Sequence, residues 1–399
     1  MLNELKKFTS ELYIKILIMV VILVSIAVSI ASIKSISEVK SVEECANYLH
    51  GKAAIHLTKE RYKNSKGILT TDKLNEVLKY YKTTPSSNTA SIKTDIKYPG
   101  ITSLMNEAYL YGDTKEADSF YKLSNMNDFY KRNIKLITKE LNDSENTYES
   151  WEKYIIFEKA KTINNPFIID FSNQWVKTYP SLTICFMLIA ISAIVIASRL
   201  FSYEKDKNMD VLLVSIGDRT LRNIGTNKIK ALLTFLTIEF LVSITIISIV
   251  IFSNTGLSAW NSQIQIKYFT SIYHLTFGKA YLLSVFTGWI SIIAIGTFVA
   301  ALNAFTQKSY ITLVLGFLVT FIPITFNKFN MFPAIITKFF KMQPINGFFI
   351  SKNLLSLQVF KFLTFNTLTI TAIIINSIII LGICILLASR LFSTRIKNT

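Results

Sequence analysis

Six apolar runs, each about the length of a membrane-crossing helix, constrain this chain more than any other feature. They lie at about Leu12 to Ile33, Pro180 to Phe201, Ala231 to Phe252, Ala280 to Leu302, Tyr310 to Phe326 and Thr367 to Leu387. An α-helix rises about 1.5 Å per residue and bilayer hydrocarbon is about 30 Å thick, so roughly 20 apolar residues cross it. Lipid offers no hydrogen-bond partners to the backbone, so the runs are predicted to be helices. Composition agrees, because 17% of the residues are charged and 51% hydrophobic, whereas a soluble domain carries about a quarter charged residues. The first run follows Lys6 and Lys7 and precedes the small residues Ala31 and Ser32, as a signal peptide would. Its apolar core is too long for a typical signal sequence, so it is read as a retained anchor.

The basic residues predict which way the chain threads, since short cationic flanks stay in the cytoplasm. Lys6 and Lys7, then Arg199, Lys205, Lys207, Arg219, Arg222, Lys228 and Lys230 between the second and third runs, and Arg390, Arg395 and Lys397 at the end place both termini inside. Lys328, Lys338, Lys341, Lys352 and Lys361, between the last two runs, argue the other way. The hexapeptide Ala197-Ser198-Arg199-Leu200-Phe201-Ser202 recurs as Ala388-Ser389-Arg390-Leu391-Phe392-Ser393, so the second and sixth helices are expected to end at the same interface. The formal charge of +17 then serves topology and contact with lipid headgroups, not nucleic acid.

Three parts follow: residues 1–33 with the first helix, a polar region at 34–178, and residues 179–399 with five more helices. The polar region shows helical spacing in Leu74, Val77, Leu78 and Tyr81, and in Phe129, Ile134, Ile137 and Leu141. It is predicted to be a mainly helical extracytoplasmic domain, interrupted by turn-rich Thr83 to Thr94 and by Tyr98-Pro99-Gly100. Its aromatics, among them Tyr109, Tyr111, Phe120, Tyr121, Phe129, Tyr130 and Trp151, are read as that domain's core. The expected fold class is an all-α polytopic membrane protein, six transmembrane helices plus this domain. Two lysines and two prolines make 329–350 a short hairpin at the outer interface, not a seventh span.

Several chemistries are excluded or weakened. No GxxxxGK[ST] loop is present, so the chain cannot cradle ATP in the P-loop manner. His50, His56 and His274 form no HExxH, and Cys45, Cys185 and Cys384 no CxxC, so no metal site is expected. Glu239 is the last carboxylate side chain in the sequence and the one acidic group inside the apolar runs, which leaves no pair for an aspartyl protease and little for a proton-coupled carrier. With Ser243 one turn on, Glu239 is either an intramembrane polar site or a hydrogen-bonded packing residue. Gly288, Gly296, Ser284 and Ser291 suit close helix approach.

Residues 202–230 carry a further pattern. Glu204 to Lys207 lead into an amphipathic run, Met209, Val211, Leu212, Leu213 and Ile216, then Gly217-Asp218-Arg219 and a basic helix running into the third span. Phe201, Glu204, Leu212, Leu213, Arg219 and Lys228 resemble the segment after the second span of ABC-2 type transporter permeases; Asn208 stands where a glycine is usual, and the usual turn proline is missing. The order of parts over nearly the whole chain is similar too. The resemblance implies a half-transporter that pairs with a second copy or a sister permease. A separate ATP-binding cassette subunit would dock near Glu204 to Arg219, hold ATP and magnesium, and drive outward movement of a lipid, peptide or antibiotic-like molecule. This chain would then be no enzyme and carry no cofactor. A receptor that binds a ligand through residues 34–178 and signals through a partner is the main alternative, followed by a secondary transporter or membrane enzyme.

Overall fold

The computed structural model describes residues 2–41, 47–110, 119–143, 148–207, 217–326, 333–362 and 365–397. Within these, six helices are long and apolar enough to cross a membrane. They are span 1 (Leu12–Lys34), span 2 (Asn173–Ala197), span 3 (Asp218–Thr255), span 4 (Phe277–Thr306), span 5 (Ser309–Phe326) and span 6 (Thr369–Lys397). The chain is an all-α polytopic membrane protein with little sheet.

Span 4 is the centre of the bundle, packing against spans 2, 3, 5 and 6, while span 1 lies on spans 2 and 3. Glycines set these approaches: a Cβ on Gly288 would run into the Phe186 ring of span 2, and one on Gly296 into Leu236 of span 3. Several hydroxyls at membrane depth satisfy themselves on the preceding turn, as Ser25 does on the Val21 carbonyl at 2.7 Å and Ser284 on that of Ala280 at 2.6 Å, so these cost little in lipid. The outer faces stay apolar and exposed, as at Leu12, Met19 and Leu23 of span 1 and Tyr310 and Leu318 of span 5.

The second part sits on one end of this bundle, called here the domain side. Its principal helices are Gly51–Ser65, Thr71–Tyr81, Ser87–Lys97, Ile101–Tyr109, Phe129–Leu141 and Ser150–Lys161. Leu74, Val77, Leu78 and Tyr81 face inward with Leu104, Met105, Phe120 and Phe129, each worth about 1.5–3 kcal/mol when fully buried. Gly100 has φ of 80°, which lets the chain turn before Ile101–Tyr109, and a Cβ there would strike the Tyr62 hydroxyl. The turn-rich reading of Thr83 to Thr94 does not hold throughout, because Ser87–Lys97 is helical; its Ala90 and Thr94 are buried, and packing overrides the weak propensity of a Ser/Thr-rich stretch. Tyr111 lies outside the described residues. Three small antiparallel strand pairs complete the fold; one, Gly67–Ile68 with Ile168–Ile169, closes the domain on itself.

The hairpin before span 6 contains the eight-residue helix Ala334–Lys341, too short to cross a bilayer. It is followed by a 3-10 turn, Pro344–Phe348, whose Phe348 carbonyl accepts from Thr183 of span 2 at 2.6 Å.

Candidate functional site

At the end of the bundle away from the domain, four charged side chains close on one another. Span 2 stops at Ala197, the chain turns through Glu204, and span 3 enters with Lys228 on its buried face. The Lys228 ammonium donates to Glu204 Oε1 at 2.6 Å and to the Leu200 carbonyl at 2.9 Å, and stands 3.9 Å from Glu4 Oε2. Glu4 lies on the short amphipathic helix Leu2–Ser10, where Lys7 pairs with it at 3.2 Å and approaches Glu204 at 3.6 Å. Burial pulls the Lys7 ammonium down, but Glu4 and Glu204 outweigh it and its pKa ends above the ordinary lysine value. Two cations and two carboxylates thus tie the N-terminal helix, the exit of span 2 and the entry of span 3. Among the described residues Glu4 Oε2 and Glu204 Oε2 are buried with no hydrogen-bond donor, and removing either lysine would leave a buried charge uncompensated.

A second device locks the same corner. Asn303 near the end of span 4 accepts from the Phe201 and Ser202 amides at 2.6 and 3.1 Å and donates to Ser202 and Thr312, each at 3.2 Å. The repeated hexapeptide meets itself here: Phe201 and Phe392, equivalent positions in its two copies, have ring centroids 5.0 Å apart. Span 3 runs unbroken from Asp218 to Thr255, so one continuous helix joins this corner to the domain side.

Of the residues predicted from sequence, Glu204 and Lys228 are brought together and face inward. Leu212 and Leu213 lie outside the described residues, as does the Arg219 side chain; the neighbouring Asp218 and Arg222 form an exposed ion pair at 3.0 Å. Glu239 and Ser243 are buried between spans 2 and 3. Ser192 donates to both Glu239 oxygens at 3.0 and 3.2 Å, and Ser243 donates to the Glu239 carbonyl at 2.9 Å. That is the geometry of a hydrogen-bonded helix contact. Among the described residues no three His, Cys, Asp or Glu side chains are grouped to hold a metal.

Compared with family models, curated proteins and solved structures, the chain matches none. What it can do therefore rests on its own residues.

One buried joint escaped the sequence reading. The connector 256–276 between spans 3 and 4 is buried under the domain through Ile264, Ile266, Phe269 and Tyr273. Asn133 of the domain donates to the Phe269 carbonyl, and Glu107 accepts from the Phe269 amide at 3.1 Å. Lys267 lies in the same joint, within the field of Asp95, Glu107 and Glu38, yet among the described residues it reaches none of them at ion-pair distance. Burial lowers its pKa despite those three carboxylates. Burial likewise raises Asp95 and Glu38, and pushes Glu107 up to about 7 against the opposing Phe269 amide and Lys267. No periodicity or motif marks this connector; a lysine inside an otherwise uncharged loop, Ile264 to Tyr273, was its one available signal.

Proposed function

We propose that this chain is the membrane-spanning subunit of an ATP-driven exporter of the ABC-2 type, working with a separate ATP-binding cassette subunit. The observation that carries the reading is the buried Glu204–Lys228 pair, which joins the two ends of the 202–230 segment and roots it in the 38-residue helix of span 3. In this reading Glu204 and Lys228 transmit, and the exposed part of the segment around Arg219, with Leu212 and Leu213, makes the contact. Closure of the partner around ATP and magnesium pulls on the segment. The ion cluster passes that displacement to the N-terminal helix and spans 2 and 3, and the joint at 256–276 passes it to the domain. The cargo is a lipid, peptide or antibiotic-like amphipathic molecule moved outward, and a second copy or sister permease completes the pathway. The chain then lies in the cell membrane with both termini cytoplasmic and residues 34–178 outside.

The test is affinity purification of the tagged full chain from its native membrane in mild detergent, with identification of co-purifying chains and an ATPase assay. A P-loop ATPase is expected, and Arg219→Glu should reduce its recovery at least about tenfold, as for loss of one strong interfacial charge. Recovery of no ATPase would overturn the proposal, and a kinase in its place would favour the receptor.

A further inference from the structure

On the domain side, a cavity of about 290 Å³ opens between the domain and the hairpin that precedes span 6. Lys341, Lys352, Asn346, Asn353 and Gln358 line it, with the Glu140 carboxylate also on its wall. The polar frame is fixed: Asn353 donates to the Asn346 carbonyl at 2.8 Å, and Asn346 to that of Phe340 at 2.7 Å.

The lysines are what this cavity leaves unmatched. Among the described residues neither ammonium has a carboxylate within 4 Å, and the charges felt by Lys341 are the cations Lys352 and Lys338. Burial first, and those two cations second, push Lys341 down to about 8. By contrast Lys338, one turn earlier, is paired with the buried Glu152 at 2.9 Å. Two cations with no carboxylate at ion-pair distance among the described residues ask for an anion.

The surroundings say where such an anion would come from. One face of the helix Ala334–Lys341 is turned away from the protein, leaving Ile335 78% and Phe339 56% exposed, and Leu355 is exposed at the cavity rim. An apolar helix face ending in lysine suits a bilayer boundary, with the cation at headgroup level.

We infer that Lys341 and Lys352 form a binding site for the phosphate of an anionic phospholipid headgroup, with its acyl chains along the exposed face of Ala334–Lys341. The phosphate accepts from both ammoniums. The site is independent of the export reading.

The experiment is acetylation footprinting by mass spectrometry of the full chain in nanodiscs. Three samples are compared: phosphatidylcholine alone, an equimolar mixture of phosphatidylcholine and phosphatidylglycerol, and phosphatidylcholine with inorganic phosphate, all at matched ionic strength. Lys361, exposed on the strand Val359–Phe362 of the same hairpin, reports the general effect of a charged surface. Phosphatidylglycerol should slow modification of Lys341 and Lys352 at least about fivefold relative to Lys361, and Lys352→Gln should remove most of the protection at Lys341, because charge-assisted contacts dominate. Equal protection by inorganic phosphate would keep the phosphate site but overturn the lipid as its source. Protection that is absent, or shared equally by Lys361, would overturn the site.

Discussion

Each end of the helical bundle holds a lysine drawn out of water, and the two are treated differently. Lys228 is 1% exposed and makes two direct contacts, to Glu204 and to the Leu200 carbonyl. Lys267, under the domain, has three carboxylates in its neighbourhood and touches none among the described residues. A close pair in a low-dielectric corner acts as a mechanical tie, because parting it strands a buried charge. Groups without a close counter-charge instead have their pKa values moved by burial, Glu107 up to about 7, so the joint they occupy responds to pH. One end of this molecule is a clamp, and the other a titratable hinge.

The largest expected effect comes from breaking the clamp. Glu204→Ala should cost about 3–5 kcal/mol of bundle stability, the usual consequence of stranding a buried charge. Thermal unfolding in detergent measures it, and pairing Glu204→Leu with Lys228→Met should recover most of the loss; a neutral Glu204→Ala would mean that the pair holds nothing.

The hinge should fail differently. Glu107 has its carboxyl raised from 4.5 to about 7 in the folded chain, so its stabilising contribution is complete below the lower value and is lost as pH rises through the upper one. Glu107→Gln keeps an acceptor for the Phe269 amide without that loss. It should be more stable than wild type above about pH 7, by up to about 3 kcal/mol. Unfolding curves across this range check it, and parallel curves for the two proteins would remove the hinge from the comparison.

Two smaller effects sharpen the contrast inside the bundle. Gly288→Ala forces the Phe186 ring from its place against Phe240 and Phe348, at about 1–3 kcal/mol by the same unfolding assay. Glu239→Gln retains an acceptor for Ser192 and should change stability by less than about 1 kcal/mol. A loss several times larger would show that the Glu239 charge itself matters.

The spans were legible because a period-free apolar run has one stable backbone in lipid. Their ends were not: span 2 begins at Asn173, before the apolar run, since Gln174 and Trp175 find the Ser258 carbonyl at 2.8 and 3.0 Å and are packed from outside the helix. The clamp was half legible, because Glu204 and Lys228 stood out in the 202–230 pattern, but only folding turns them toward each other and away from a partner. Glu4 gave no signal, being one acidic residue in a basic start. Lys267 and its carboxylates come from positions 38, 95, 107 and 267, a convergence set by the docking of the domain on the connector, which no local pattern encodes.

In the proposed function the 202–230 segment receives an ATPase on the side of the membrane opposite the domain. A photo-crosslinking amino acid in place of Asp218, irradiated in native membranes, tests it most directly, with the same residue in place of the exposed Tyr154 of the domain as its counterpart. A crosslink from position 218 to a P-loop ATPase is expected, and none to that protein from position 154. A crosslink to the ATPase from position 154, or from 218 to lipid alone, would contradict it.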